Sequence, residues 1–139
     1  MKITFFLFIF LFFNSVFAEE KSIIVLMYHR FEDERFPSTS ISSKNFQNHI
    51  KYLKENNFNI LPISDLVLFF NKEYDVPEKS VFLTIDDGYK SFYENAYPIL
   101  KKYKLPFSLF LSTKFVSSEK NSDFMNWEMI QELSKNKGE

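Results

Sequence analysis

The stretch VFLTIDDGYKSFYENAYPILKKY, residues 81–103, decides the fold. Its first five residues, 81–85, are apolar or β-branched, which predicts a strand buried on both faces. Two aspartates and a glycine follow, and then a helix-like pattern begins. Ser91 and Glu94 match the S-x-x-E capping box, which predicts that a helix starts there. The stretch is therefore a strand–turn–helix unit with an acidic turn, and Pro98 should kink or break its helix.

Glycine is rare in this chain, which makes the glycine behind the two acids informative. A chain of this length would hold about ten glycines at the usual frequency, and this one has two, Gly88 and Gly138. Glycine is needed where φ is positive or where the backbone makes a close approach. Gly88 therefore predicts a turn that other residues would make poorly.

The rest of the chain repeats the alternation of strand and helix. The amphipathic helix 43–56, for example, places Phe46, Ile50 and Leu53 on one face behind Ser43 as N-cap. The other predicted elements are strands at 22–28, 58–61 and 107–111, a helix at 64–70 capped by Ser64, a helix at 127–135 capped by Asn126, and polar loops at 30–40, 71–80 and 117–123. Four such alternations predict an α/β fold with parallel strands and helical crossovers.

The N-terminus has the pattern of a secretory signal peptide. Lys2 gives a positive start, residues 3–13 are apolar apart from Thr4, and Ala18 supplies a small residue at the cleavage point. The alternative is an uncleaved membrane anchor, but the apolar run is shorter than the roughly 20 residues that span a bilayer. We therefore predict that residues 1–18 are a signal peptide, that the protein is secreted or periplasmic, and that no transmembrane segment remains after cleavage.

Composition limits what the mature chain can be. Cysteine is absent, so packing alone must stabilise the fold, and the predicted mature length suits a single small domain. The formal net charge is −1, and removing Lys2 with the signal peptide makes it one unit more negative. No basic patch is present, so the sequence excludes nucleic acid as the expected partner.

The acid pair lies at the edge of the predicted sheet where α/β proteins carry their sites, the carboxyl ends of the strands. Asp86 and Asp87 are neighbours, and neighbouring strand residues point to opposite faces. Gly88 allows the chain to leave the strand, so both acids can converge on one centre. Taken alone, the tripeptide also fits an ordinary turn. A phosphatase that uses an aspartate nucleophile two residues before its second acid is excluded, because Ile85 occupies that position.

The surrounding motifs carry a more specific resemblance. They are LMYHRF at 26–31, FQNHIKYLKENNFNILPISDL at 46–66, TIDDGY at 84–89, AYPILKKYKLPFSLFLST at 96–113 and NWEMIQEL at 126–133. In order and spacing the chain resembles the polysaccharide deacetylases, the NodB-homology group of carbohydrate esterase family 4, over residues 23–133. The resemblance implies a distorted (β/α) barrel, of which this chain would form the N-terminal part with about four βα units, incomplete.

The resemblance also implies a function and a set of site residues. The family hydrolyses N-acetyl groups of polysaccharides, here of the N-acetylglucosamine type, with a divalent metal that is usually zinc. The motif match makes Asp86 the general base, Asp87 a metal ligand and His29 a supporting residue of the site. Tyr28, Tyr89 and Trp127 are candidates to line the substrate groove, and the remaining histidine, His49, is expected on a solvated helix face.

The sequence departs from the family pattern in its metal ligands. The other two ligands of the family come from an H-x-x-x-H motif, and the residues given do not contain one. We therefore predict that residues 19–139 are the N-terminal part of the deacetylase domain, truncated before that motif. This polypeptide alone should bind zinc weakly, should not deacetylate a polysaccharide, and should be poorly soluble. A non-catalytic secreted relative that binds a glycan or a partner is the alternative, and a fragment without a present role is a third.

Overall fold

A computed structural model describes residues 21–116 and 122–139. The predicted signal peptide and residues 117–121 of a predicted loop lie outside the described residues. The elements in chain order are β1 (Ile23–Tyr28), β2 (Arg30–Phe31), β3 (Ser40–Ile41), α1 (Ser43–Glu55), β4 (Asn59–Leu61), α2 (Ile63–Phe70), β5 (Ser80–Asp87), a π-helical turn (Phe92–Ala96), α3 (Tyr97–Tyr103), β6 (Ser108–Leu111), a 3₁₀ turn (Thr113–Phe115) and α4 (Trp127–Ser134). The fold is α/β with a parallel sheet, as predicted.

Strand β5 is the centre of the sheet. It pairs in parallel with β1 along residues 80–85, with β4 along residues 80–82, and with β6 along residues 84–87. Strands β2 and β3 form a separate two-residue parallel pair within the segment predicted as a loop. A parallel strand with neighbours on both edges is usually buried on both faces, and residues 80–85 are all buried.

Residues of helices α1, α3 and α4 pack on one face of this sheet. Val81, Leu83 and Ile85 of β5 belong to the main core, together with the predicted stripe of α1, Phe46, Ile50 and Leu53, all of which are buried. Helix α3, the π-helical turn and the segment around Phe107 complete the core.

The opposite face of the sheet is partly open. Val25, Met27 and Phe110 are exposed to 48%, 61% and 54%. These three side chains alternate in sequence with less exposed positions of β1 and β6, as expected for a strand. Within residues 21–116 and 122–139, none of the helices combines the length and the apolar character needed to cross a membrane.

The predicted capping box at residues 91 and 94 does not form. Ser91 Oγ accepts a hydrogen bond from the Phe31 amide at 3.1 Å, and Glu94 lies 3.4 Å from Lys90 Nζ. The reason is that Ser91 already has helical φ and ψ angles and that its hydroxyl group is engaged by the Phe31 amide. Further along, Pro98 cannot donate to the residue four positions earlier, and the chain makes a π-helical turn before α3 begins. The predicted break at Pro98 is therefore confirmed, whereas the cap is wrong.

Two other predicted caps are displaced, and one is confirmed. The N-cap of α1 is Ser42, whose Oγ accepts from the Asn45 amide at 3.2 Å, so the predicted cap lies one residue too late. Helix α2 begins after Pro62, and the Ser64 hydroxyl donates to the Glu139 carboxylate at 2.7 Å. Asn126 caps α4 as predicted, accepting from the Met129 amide at 2.9 Å.

Candidate active site

The parallel pairing of β1 with β5 brings the first histidine to the acid pair. Tyr28 lies opposite Ile85 at the carboxyl edge, so the next residues of both strands meet there. His29 Nδ1 is 3.4 Å from Asp87 Oδ2. Asp86 precedes Asp87 on the same edge, and the structure thus gathers the three predicted polar site residues at one place.

The turn after β5 contains two successive residues with positive φ. Asp87 has φ 69° and Gly88 has φ 84°, and the Gly88 amide donates to the Asp86 carbonyl at 2.9 Å. The sequence argument assigned the departure from the strand to the glycine, but the chain already turns at Asp87. Aspartate is one of the few residues that tolerate this conformation. Because the chain turns at Asp87, the two neighbouring carboxyl groups no longer have to point to opposite faces of the sheet.

The dihedral angle at position 88 calls for glycine, and a Cβ there would also crowd the end of one leucine side chain. A Cβ placed there would lie 2.5 Å from Leu111 Cδ1 and 3.9 Å from Met125 Cε. Gly88 is buried and is packed against β6 and the segment that leads to α4. The scarce glycine therefore lies at a position where a side chain would meet both a strained φ and a filled space.

The environment of Asp86 raises the pKa of its carboxyl group. Burial is the largest cause, because removing the carboxylate from water disfavours its charged form. The electrostatic interaction with His29 opposes this rise in pKa, and the negative charge of Asp87 adds to it. A carboxyl group with a raised pKa is a better proton acceptor once it is ionised.

The donors at this edge do not form a metal site by themselves. The Asp87 carboxylate and the His29 imidazole are both groups that zinc accepts as ligands. Catalytic zinc usually takes three protein ligands, and no three His, Cys, Asp or Glu side chains cluster suitably among residues 21–116 and 122–139. Zinc at this position would therefore need ligands from outside the described residues.

The three predicted groove aromatics occupy different environments. Tyr28 is buried, its hydroxyl lies 3.1 Å from His49 Nδ1, and burial raises its pKa to about 12. Trp127 is 60% exposed at the start of α4. His49 itself is exposed on α1, in line with its predicted position on a solvated face.

Tyr89 is packed on both faces of its ring. The Arg30 guanidinium lies 3.6 Å from the ring centre, and Phe124 stacks with a centroid distance of 4.9 Å. Any contact of Tyr89 with a substrate would therefore involve its ring edge or its hydroxyl group.

A charged network next to the acid pair was missed by the sequence analysis. Asp33 accepts hydrogen bonds from Arg30 at 2.9 Å and from Arg35 at 2.9 and 3.0 Å, and Arg35 reaches Asp123 at 3.0 Å. The hydrogen bonds from Arg35 are the main reason that the pKa of Asp33 falls to about 2. The network borders a polar cavity of about 490 Å³. Its only sequence signal was the density of charges in residues 30–35.

Comparison with protein families gives a match over the second half of the chain. Residues 73–138 match the family described as polysaccharide deacetylase. The matched segment contains the acid pair, the glycine turn, and all elements from β5 to α4.

Individual relatives extend the similarity towards the N-terminus. A poly-beta-1,6-N-acetyl-D-glucosamine N-deacetylase of Staphylococcus aureus (strain N315) is 34% identical over 126 residues, covering 81% of this chain. The solved structure of IcaB from Ammonifex degensii matches with a TM-score of 0.77 and 27% identity over 86% of this chain. A de-N-acetylase from Aggregatibacter actinomycetemcomitans matches with a TM-score of 0.74 and 26% identity over 84%. The chain spans 42% of the length of the Staphylococcus relative and 51% and 52% of the two solved chains.

Proposed function

Since this chain belongs to the polysaccharide deacetylase family, we propose that it serves in the metal-dependent hydrolysis of N-acetyl groups from a polysaccharide of the N-acetylglucosamine type. A β-1,6-linked polymer is the first substrate to test, because the Staphylococcus relative is named for it. The proposal includes a divalent metal, zinc in the first instance, in a site to which residues outside the described ones contribute.

One observation carries the proposal: a half-buried Asp86 stands beside the contact between His29 and Asp87 at the carboxyl edge of a parallel sheet. An acetamide is a poor electrophile and water is a poor nucleophile, so the reaction needs both an activated carbonyl and a base. Bound metal supplies the activation and lowers the pKa of bound water. The residues described here supply the base and part of the metal environment.

The proposed roles follow the chemistry of each side chain. Asp86 accepts the proton of the attacking water, and its raised pKa brings it closer to the ideal for a base at neutral pH. Asp87 is a metal ligand. His29 supports the site by its contact with Asp87, which fixes the orientation of that carboxylate. Gly88 makes the turn, and Tyr28, Tyr89 and Trp127 remain candidates for the groove.

The proposed organisation keeps residues 1–18 as a signal peptide and residues 19–139 as the N-terminal part of the deacetylase domain. A polysaccharide substrate outside the cell agrees with a secreted or periplasmic protein. The polymer is the proposed partner, and nucleic acid is not.

The test is the release of acetate from a β-1,6-linked N-acetylglucosamine oligomer, with zinc added, by the protein at the length in which its source makes it. We expect acetate release that falls by about 10²–10⁴-fold in Asp86→Asn, the range that a general base contributes. The matched control is Asp65→Asn, on α2, which should retain full activity. Equal rates in Asp86→Asn and the unchanged protein would refute the role of Asp86.

A second candidate is a non-catalytic relative that binds glycan or a partner. It is favoured by the lack of three clustered metal-ligating side chains among the described residues. Binding of the same oligomer without acetate release, with zinc present, would support this candidate over the enzyme.

A further inference from the structure

Five side chains form a stacked column along the rim that carries the acid pair. In order they are Phe36, Arg30, Tyr89, Phe124 and Phe115. The Arg30 guanidinium lies between two rings, 4.0 Å from the centre of Phe36 and 3.6 Å from that of Tyr89. Tyr89, Phe124 and Phe115 continue the column with centroid distances of 4.9 and 4.8 Å and interplanar angles of 29° and 18°. The column thus connects the loops that follow three strands.

Arg30 is the member of the column that is held most firmly. Its side chain is only 11% exposed, and its Nη1 donates to Asp33 Oδ2 at 2.9 Å. Asp33 is itself held by Arg35 and by the Ser40 hydroxyl, which accepts from the Asp33 amide at 3.0 Å. A planar guanidinium can stack on two rings and hydrogen bond in its own plane, which an ammonium group cannot do.

The column is attached directly to the turn behind the acid pair. Tyr89 pairs with Phe124 in an antiparallel bridge. The Met125 amide donates to the Gly88 carbonyl at 3.0 Å, and the Lys90 amide donates to the Asp123 carbonyl at 2.8 Å. The positive φ of Asp87, a non-glycine residue, persists only if the surroundings fix it, and these contacts hold the turn in which it lies.

Arg30 also directly follows His29 in the chain. The same guanidinium therefore joins the loop that carries His29 to the turn that carries Asp86 and Asp87. We propose that Arg30 is a positioning residue, which clamps the turn of residues 86–90 against the loop after β1 and so sets the geometry of the candidate site. Its importance for catalysis rests on the proposed function, but the clamp itself is a property of the fold.

The experiment is amide hydrogen exchange measured by NMR on the full chain and on Arg30→Met, which keeps an unbranched apolar stem and removes the guanidinium. The reporters are the amides of Gly88, Lys90 and Met125, whose hydrogen bonds hold the turn. We expect their protection factors to fall by about tenfold or more relative to the amides of α1, since losing the clamp opens the turn locally. Arg30→Lys should restore only part of the protection, because lysine keeps the positive charge but lacks the planar guanidinium group that stacks on the rings.

A matched control is Lys54→Met, which removes a cation 4.2 Å from the ring centre of Tyr103, away from this rim. It should leave the three reporter amides unchanged. If Arg30→Met does not fold, Phe36→Ala replaces it, because Phe36 is 43% exposed and covers one face of the guanidinium. A smaller loss at the same three amides is then expected.

An equal loss of protection at all amides would overturn the proposal, because Arg30 would then contribute only to global stability. No loss at the three reporter amides would also overturn it, because Arg30 would then not hold the turn. No substrate or metal enters this measurement. Failure of the acetate assay would therefore count against the proposed function and leave the clamp standing, whereas unchanged reporters would remove the clamp and leave the function standing.

Discussion

Replacing Gly88 by alanine tests the structural reading of the acidic turn. Gly88 has φ 84°, and a non-glycine residue in the left-handed region costs about 1–2 kcal/mol. The new Cβ would lie 2.5 Å from Leu111 Cδ1, and overpacking of this kind costs about 1–3 kcal/mol. Alanine also restricts the unfolded chain, which offsets about 0.4–1 kcal/mol. The free energy of unfolding should therefore fall by about 2–4 kcal/mol.

Urea denaturation followed by circular dichroism measures this loss. With a slope of about 2 kcal/mol per M, the middle of the range for a small protein, the midpoint should fall by roughly 1–2 M. Repeating Gly88→Ala in a Leu111→Ala background separates the two causes, because the collision is gone and only the dihedral cost remains. The penalty should then shrink to about 1 kcal/mol. A penalty below about 0.5 kcal/mol in the original background, where a surface substitution would lie, would refute the claim that the turn needs glycine.

Three further predictions follow from other contacts. Glu132 accepts hydrogen bonds from Tyr93, Lys101 and Tyr97, and the bond from Tyr93 is the main reason that the pKa of Glu132 falls to about 2. The contribution of this carboxylate to stability is present above pH 4.5 and is lost as the pH falls towards 2. The difference in urea midpoint between the unchanged chain and Glu132→Gln should therefore narrow as pH falls from 7 to 3, and a difference that stays constant over this range would contradict the prediction. Lys104→Gly should raise the free energy of unfolding by about 0.5–1 kcal/mol, because Lys104 has φ 54° at the C-terminus of α3; an unchanged or lower midpoint would contradict this. The 139-residue polypeptide alone should bind zinc weakly in calorimetry and release no more acetate than Asp86→Ala, and release above that variant would show that the described donors suffice.

The sequence predicted those elements whose signal is a periodic apolar pattern. Helix α1 and strand β5 have strong patterns, and both appear within one or two residues of their predicted bounds. The meeting of His29 with the acid pair was also predictable, because the carboxyl ends of parallel strands share one edge. The short pair β2 and β3 was not, since each strand has two residues and no period can be read from so few.

The features that were missed depend on partners distant in sequence. Ser91 has the local spacing of a cap, but its hydroxyl group bonds to Phe31, sixty positions away. In the sequence, Arg30 is one of several charges in a polar loop, and only the fold brings the Tyr89 ring against its guanidinium group. The turn at Asp87 was placed one residue late because glycine is the usual residue at positive φ, and aspartate gives a weaker signal there. The metal ligand role of Asp87 and the groove roles of the aromatics stay predictions.

The position of β5 at the centre of the sheet has a consequence for how the chain folds. Among residues 21–116 and 122–139, β1 pairs with β5, and Ile23 lies opposite Ser80. Within this part of the chain, the first strand therefore waits for its partner until the third βα unit has been synthesised. Closing so long a loop is slow, and apolar strands that wait for a partner are prone to aggregation. If the chain is exported from its N-terminus, the apolar segment of β1 emerges first and remains unpaired longest. In that case, chaperones that bind extended apolar segments should act on β1 before the acidic turn exists.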